Sequence, residues 1–409
     1  MNKKQLLLVF LILWYSRFFS FLHFTIDESI FYYISYIIDL IILYISWKKN
    51  INTKRKQIMN FGNITLLLFF SSLLSLFPAC VFFGQSPLSG IFQLIPRAIL
   101  LFYFILHEYS FSRKEILQVI LCLGVCYSTI KLLQQFTYPH LLFCERSRIS
   151  TITGEVEQRN GLWRILMQGG ECASIMLYLK FEEFLHNKRA FLLVFVFLGS
   201  ASIFLNLGRM HLVQMLLSII LLYYLCYGVG RSSIIKKIVV VAVVIVIYNN
   251  ISAIMGSEML DKTIEQVNDT EDVRYKSFAY FWEESKVHPI VFLFGHGPLT
   301  GTHIGKELNL LEKDYGLYIS DVGIVGLLYN YGVIYCILLI LCYIFFLYKV
   351  RKIPWIFAYQ LPILLFVVLM PVLHSPISMF FFAVILYLAD IELTRIDGIP
   401  SRIKYNKLN

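Results

Sequence analysis

Charge is what this sequence has least of. Only 15% of its 409 residues are Asp, Glu, Lys or Arg, against about a quarter in soluble domains, which excludes both a disordered chain and an ordinary soluble enzyme. Several motifs are missing too. There is no Gly-rich phosphate loop, no Gly-x-Ser-x-Gly elbow, no His-Glu-x-x-His pair and no Asp-x-Asp pair, so nucleotide hydrolysis, serine-esterase chemistry and a metal-bound sugar nucleotide lack their usual parts. The 8 cysteines include no Cys-x-x-Cys: Cys122 and Cys126 are four apart, and all except Cys144 fall in apolar segments. Neither a disulfide framework nor a redox or metal site is expected from them. The acidic residues are equally poor metal ligands, since Asp314 and Asp321 are seven apart and Asp269 and Asp272 are followed at once by Arg274. Any chemistry is expected to need no metal and no cofactor, and to use a leaving group that is already activated.

What is abundant is apolar. Residues AVILMFWYC make up 58% of the chain, and a membrane-crossing helix needs about 20 such residues. Apolar runs bounded by charge predict twelve spans, near 5–26, 30–47, 61–83, 91–106, 115–136, 163–184, 190–206, 209–227, 236–254, 321–348, 354–373 and 376–391. The expected fold class is therefore all-α: a polytopic membrane protein of about 12 transmembrane helices, a single integral membrane domain over 1–409 with one large, partly helical outer loop. Lys3 and Lys4 lead into an apolar run with no small-residue cleavage pattern, which reads as a retained first span. The net charge of +10 fits topology better than nucleic acid, because more than half of the 36 Lys and Arg lie in links on the side of the N-terminus. By the positive-inside rule both termini are cytoplasmic.

Two outer segments exceed a mere connection: 137–162, the first long outer loop, and 255–320, the large outer loop. Within the second, Val273, Tyr275, Phe278, Phe281 and Trp282 recur at helical spacing, which predicts an amphipathic helix over Asp272–Glu284 lying on the membrane or over a cavity mouth. His288-Pro289 is expected to end it, and Gly295, Gly297, Pro298 and Gly301 mark a turn-rich return.

The basic residues that topology does not explain are the informative ones. Arg17, Arg97, Lys131 and Lys180 fall inside spans; the first three lie about 8–13 Å below the outer boundary, a depth at which charge faces a polar cavity or snorkels to the interface. Arg146, Arg148, Arg159 and Arg164 cluster in the first long outer loop, Arg209 opens a span after Asn206-Leu207-Gly208, and Arg274 sits on the proposed surface helix. A bias to arginine on this side fits bidentate capture of phosphate oxygens, with anchoring to lipid headgroups as the alternative.

Arg274, His288-Pro289, Phe294-Gly295-His296-Gly297-Pro298, then Ser320-Asp321-Val322-Gly323 running into Gly326 and Tyr331-Gly332, resemble in order and placement the O-antigen polymerase and ligase superfamily, the Wzy-like proteins. Asp321 to Gly332 has the family's spacing between a polar residue and a glycine that continues a helix. Asn206-Leu207-Gly208-Arg209 resembles its Ser-Arg element, with Gly in place of Ser, and Arg159 and Gly170 resemble an Arg-x10-Gly element. The resemblance covers architecture along the whole chain and residue patterns over about 205–212 and 270–335.

It implies glycosyl transfer at the outer face of the bacterial cytoplasmic (inner) membrane. A chain on undecaprenyl diphosphate passes to a sugar hydroxyl of an incoming lipid-linked oligosaccharide unit. Membrane lipids, a chain-length regulator and a flippase are the further partners. Asp321, where ligases have His, favours a polymerase. On this reading Arg209, Arg274, Arg97 and the Arg146, Arg148, Arg159 and Arg164 cluster hold the diphosphate, whose charge grows as it leaves. Asp321 takes the acceptor's proton or caps its own helix. Glu171 is a second candidate base, or an internal partner for Arg17, Arg97 or Lys131. His296 and His303 are either site residues or packed turn residues. A ligase that moves polymer to another acceptor, and a flippase or transporter of lipid-linked oligosaccharide, are the competing readings.

Overall fold

The computed structural model describes residues 3–17, 28–52, 60–144, 156, 158–159, 161–227, 273–297, 299, 302–370 and 372–396. In chain order the helices are α1 (Lys3–Tyr15), α2 (Glu28–Asn52), α3 (Gly62–Leu73), α4 (Leu76–Phe83), α5 (Pro87–Leu94), a 3-10 segment (Ile95–Leu101), α6 (Phe102–Tyr109), α7 (Arg113–Thr137), α8 (Gly170–Asn187), α9 (Leu192–Phe204) and α10 (Arg209–Tyr227). There follow α11 (Val273–Ser285), α12 (Pro289–Phe294), α13 (His303–Tyr315), a 3-10 turn (Ile319–Asp321), α14 (Gly323–Val350), α15 (Pro354–Leu365) and α16 (Pro376–Ile396). Among the described residues the only sheet is a hairpin, β1 (Gln158–Arg159) antiparallel to β2 (Leu162–Trp163).

The protein is thus helical, and among the described residues 6 helical stretches are long and apolar enough to cross a membrane: Gly62–Phe83, Pro87–Tyr109, Arg113–Thr137, Met210–Tyr227, Gly323–Val350 and Pro376–Ile396. Helices α1, α2, α9 and α15 contribute shorter apolar stretches. Helix α8 carries Glu171, Lys180, Glu182 and Glu183, too much charge for an apolar span. The expected span 236–254 lies outside the described residues.

The span expected at 91–106 lies within Pro87–Tyr109 and tightens to a 3-10 segment from Ile95, where Pro96 lacks the N–H that an α-helix would use. Two expected boundaries are corrected, each for a local reason. The span expected at 163–184 begins at Gly170. Leu162–Trp163 belongs to the hairpin, and Gly169 enters the helix at φ +95°, so the first long outer loop runs past 162. The span expected at 354–373 ends at Leu365, shortly after Pro362.

Helix α16 is the axis of the bundle. From Met379 to Ala389 every residue is buried, as expected for a helix that is apolar on all faces. Phe380 stacks on Tyr15 and lies against Phe102, while Phe382 stacks on Tyr343. Polar contacts gather near its end. Asp390 accepts from Asn60 Nδ2 at 2.9 Å and from the Tyr103 hydroxyl, His107 Nε2 lies 3.2 Å away, and Arg113 pairs with Glu392.

Candidate functional site: a polar chamber and a caged arginine

Two consecutive glutamines at the end of α7 hold the described parts of the loop that follows it. Gln134 accepts from the Leu142 and Phe143 amides at 2.9 and 2.8 Å and donates to the Phe143 carbonyl at 2.9 Å. Gln135 does the same for Trp163, accepting from its amide at 3.0 Å and donating to its carbonyl at 2.7 Å. Backbone groups that would otherwise be orphaned in a buried loop are satisfied this way. Tyr138 stacks on Trp163 at 3.7 Å between ring centroids, fixing the hairpin against the helix end.

The segment after the hairpin therefore turns inward and delivers Arg164 to a cavity of about 460 Å³, within the size range of small-molecule pockets. Its wall is formed near the starts of α8 and α10, the end of α15 and the flank of α16. Arg164, Glu171, His211, Gln214 and Gln360 give it a polar lining inside an otherwise apolar bundle. Asn206 ties the rim together. Its carbonyl accepts from Arg164 Nε at 3.4 Å and its side-chain oxygen accepts from Lys131 Nζ, which also donates to the Tyr127 hydroxyl at 3.3 Å. Gln360 is buried, and its Oε1 has no hydrogen-bond partner among the described residues.

Arg97 occupies a separate cage. It is 3% exposed; Nη1 donates to the Tyr335 hydroxyl at 2.8 Å, and Cζ lies 3.8 Å from the Tyr331 ring centroid. Nη2 has no partner among the described residues. Tyr343, on the chamber wall, follows Tyr335 on α14 by about 12 Å of axis. His374, next to Leu373 of the wall, is within electrostatic reach of Arg97. The three cationic groups expected at similar depth part company here: tyrosines enclose Arg97, Asn206 and Tyr127 take Lys131, and Arg17 lies half-buried two residues past the end of α1. The element that the resemblance singles out, Phe294 to Gly297, is a structural interlock beside this cage. The His296 and Gly297 amides donate to the Tyr329 and Asn330 carbonyls at 2.7 and 2.9 Å, where α14 kinks at Gly332.

His296 is a packing residue in this interlock. Its ring stacks between Phe83 and Tyr329, at 5.0 and 3.9 Å between centroids, and Nδ1 lies 3.1 Å from the Tyr329 carbonyl. Burial holds its imidazole down to about 4. A base held neutral in the fold binds its proton only in the unfolded chain between pH about 6.5 and that value, so its stabilisation is complete above about 6.5 and is lost as pH falls toward 4. Thermal unfolding in detergent is expected to show this acid loss, at up to about 1.4 kcal/mol per pH unit, and His296→Phe to remove it; an unchanged profile in that variant would place the acid sensitivity elsewhere.

The remaining expected site residues divide. Glu171 is brought to the chamber in the first turn of α8, and it forms no ion pair among the described residues, so it is no internal partner for Arg17, Arg97 or Lys131. Arg209 is the first residue of α10, directly after Gly208 of the wall. Arg274 and Asp321 are exposed on α11 and on the 3-10 turn that packs beside it, away from the chamber lining. Asp321 does not cap α14, whose cap position is Val322; Gly323 turns the chain one residue later at φ +51°. The helix expected over Asp272–Glu284 is present as α11, but of its apolar stripe only Phe281 is buried. Arg159 lies in β1 and His303 opens α13, while Arg146 and Arg148 fall outside the described residues. Sequence reasoning missed His211, Gln360 and the tyrosine cage. The recurrence of Tyr331, Tyr335 and Tyr343 at helical spacing on an apolar helix was the available signal.

No protein-family model matches the chain, and no curated protein is significantly similar to it.

Proposed function

We propose that this chain is a polymerase of lipid-linked oligosaccharide repeat units. It crosses a bacterial cytoplasmic membrane twelve times with both termini cytoplasmic, and transfers the growing chain from undecaprenyl diphosphate to a sugar hydroxyl of the incoming unit. The observation that carries this reading is the polar chamber within an apolar bundle, with Arg164, Glu171 and His211 on one wall. A guanidinium and a carboxylate lining one cavity supply the two groups such a transfer needs, one for the departing charge and one for the proton. Arg164 neutralises the departing diphosphate. The bond from the anomeric carbon to the diphosphate oxygen breaks, the bond to the acceptor oxygen forms, and Glu171 takes the acceptor's proton. The Wzy-like order of Arg274, Phe294-Gly295-His296-Gly297, Asp321 and Gly332 supports the same class, with Arg209, next to Gly208 of the wall, as a further diphosphate contact.

Purified protein in vesicles with the undecaprenyl-diphosphate-linked unit is expected to give a ladder of longer products. Arg164→Ala and Glu171→Gln are expected to reduce extension by about 100-fold or more at normal protein levels. Movement of the unit across the vesicle without lengthening would make the protein a transporter. In cells, loss of the gene is expected to leave single units on the final acceptor; long polymer stranded on undecaprenyl diphosphate would make it a ligase.

A further inference from the structure

At the end of α8 remote from the chamber, three metal-ligating side chains of different chemistry meet. Glu182 and His186 stand one turn apart on one face of α8, with Oε1 4.0 Å from Nε2. Cys226, in the last turn of α10, completes a trio whose ligand atoms all lie within 4.8 Å of one another. The two helix ends are tied beside it, since the Tyr227 hydroxyl donates to the Leu185 carbonyl at 2.6 Å and the Lys188 ammonium lies 4.3 Å over the Tyr227 ring. Glu182 has a side chain only 16% exposed. Its charged neighbours are Glu392 and Arg113, and that guanidinium is engaged by Glu392. Glu182 therefore faces a second carboxylate while the nearest cation is taken, a setting that favours added positive charge.

We propose that Glu182, His186 and Cys226 bind a zinc-like divalent transition-metal ion that clamps α8 to α10. A thiolate among the donors disfavours magnesium and calcium, and one sulfur, one imidazole nitrogen and one carboxylate oxygen suit tetrahedral zinc with water in the fourth place. Donors about 2.0–2.3 Å from the ion stand about 3.3–3.8 Å apart, so the side chains close by about 1 Å on binding. The exposed ring of His186 has room to do so. On binding, the Cys226 S–H bond breaks, a sulfur–metal bond forms and the proton leaves to water, with no change of oxidation state. Two positive charges against one thiolate and one carboxylate give a neutral centre, which an apolar bundle tolerates. Cysteine spacing alone gave no sign of this site, because its ligands come from two helices. It stands independently of the polymerase reading. Its consequence for the chamber is mechanical, since α8 supplies Glu171 and α10 supplies His211 to the wall.

The full-length protein, freed of metal with a chelator, is titrated with cobalt(II) alone and then with zinc(II). One equivalent of cobalt is expected to give a thiolate-to-cobalt charge-transfer band that zinc removes, and zinc is expected to raise the unfolding temperature. Cys226→Ser abolishes the band, and the control Cys122→Ser leaves it intact. His186→Ala, a change at an exposed side chain, is expected to weaken zinc binding about tenfold or more. No band in the wild-type protein, an equal band in Cys226→Ser, or unchanged zinc affinity in His186→Ala overturns the proposal.

Discussion

Gly332→Ala is expected to prevent stable folding. Gly332 has φ +77° and ψ +173°, and Gly295, its partner across the interlock, has φ +83° and ψ +171°. Both values fall in a region that essentially only glycine occupies. Space forbids a side chain as firmly as conformation does. A Cβ at Gly332 would sit 2.3 Å from the Leu293 carbonyl oxygen, and one at Gly295 would sit 2.4 Å from the Asn330 carbonyl oxygen. Both are backbone atoms, and the Asn330 carbonyl is further held by the Gly297 amide, so neither swings aside as a side chain could. Strain and overlap together cost about 4 kcal/mol, a large part of the stability of an ordinary domain. Gly84→Ala is the matched control, because Gly84 also has positive φ, at +65°, but nothing lies within 4 Å of the added carbon; that change is expected to cost about 1 kcal/mol. The measurements are yield of monodisperse protein and unfolding temperature in detergent. Equal, mild effects at both positions would mean that the turn and the kink do not interlock.

Arg97→Met carries the opposite expectation for stability and the same one for activity. The cage gives Arg97 one hydroxyl partner and a ring face, but among the described residues Nη2 is buried without an acceptor. Such a group costs about 1–3 kcal/mol, and an unbranched apolar side chain of similar length removes that cost while still filling the space. The variant is expected to be as stable as the wild type or more so. A residue kept against its own stability cost is kept for a role other than stability, and on the proposed polymerase reading that role is to stiffen the α14 tyrosines beside the chamber. Chain extension is expected to fall by about 100-fold. Arg97→Lys is expected to recover little of it, since an ammonium keeps the charge but loses the planar stack on Tyr331. A destabilised Arg97→Met that still extends chains at the normal rate would reduce Arg97 to a structural residue.

Much of this was legible from residue type alone. The helical class and the long apolar stretches follow from apolar runs, because a span is a local property of about 20 consecutive residues. The helix at Val273–Ser285 and the turn around Gly295 and Gly297 were also readable, each from a short pattern. The cavity was not. Its polar wall draws single residues from α8, α10 and α15 and from the segment before α8, and no spacing along the chain announces that Arg164, His211 and Gln360 meet. Sequence reasoning grouped Arg97 with Lys131 by their similar depth, but depth is one coordinate of three, and different helices carry them to different partners. The chain on its own determined that this is a helical protein with helices apolar and long enough to cross a membrane, carrying a few cationic groups inside apolar segments. Only the tertiary structure decided which of those groups are already satisfied and which keep a donor open, because satisfaction depends on neighbours that are distant in sequence and adjacent in space.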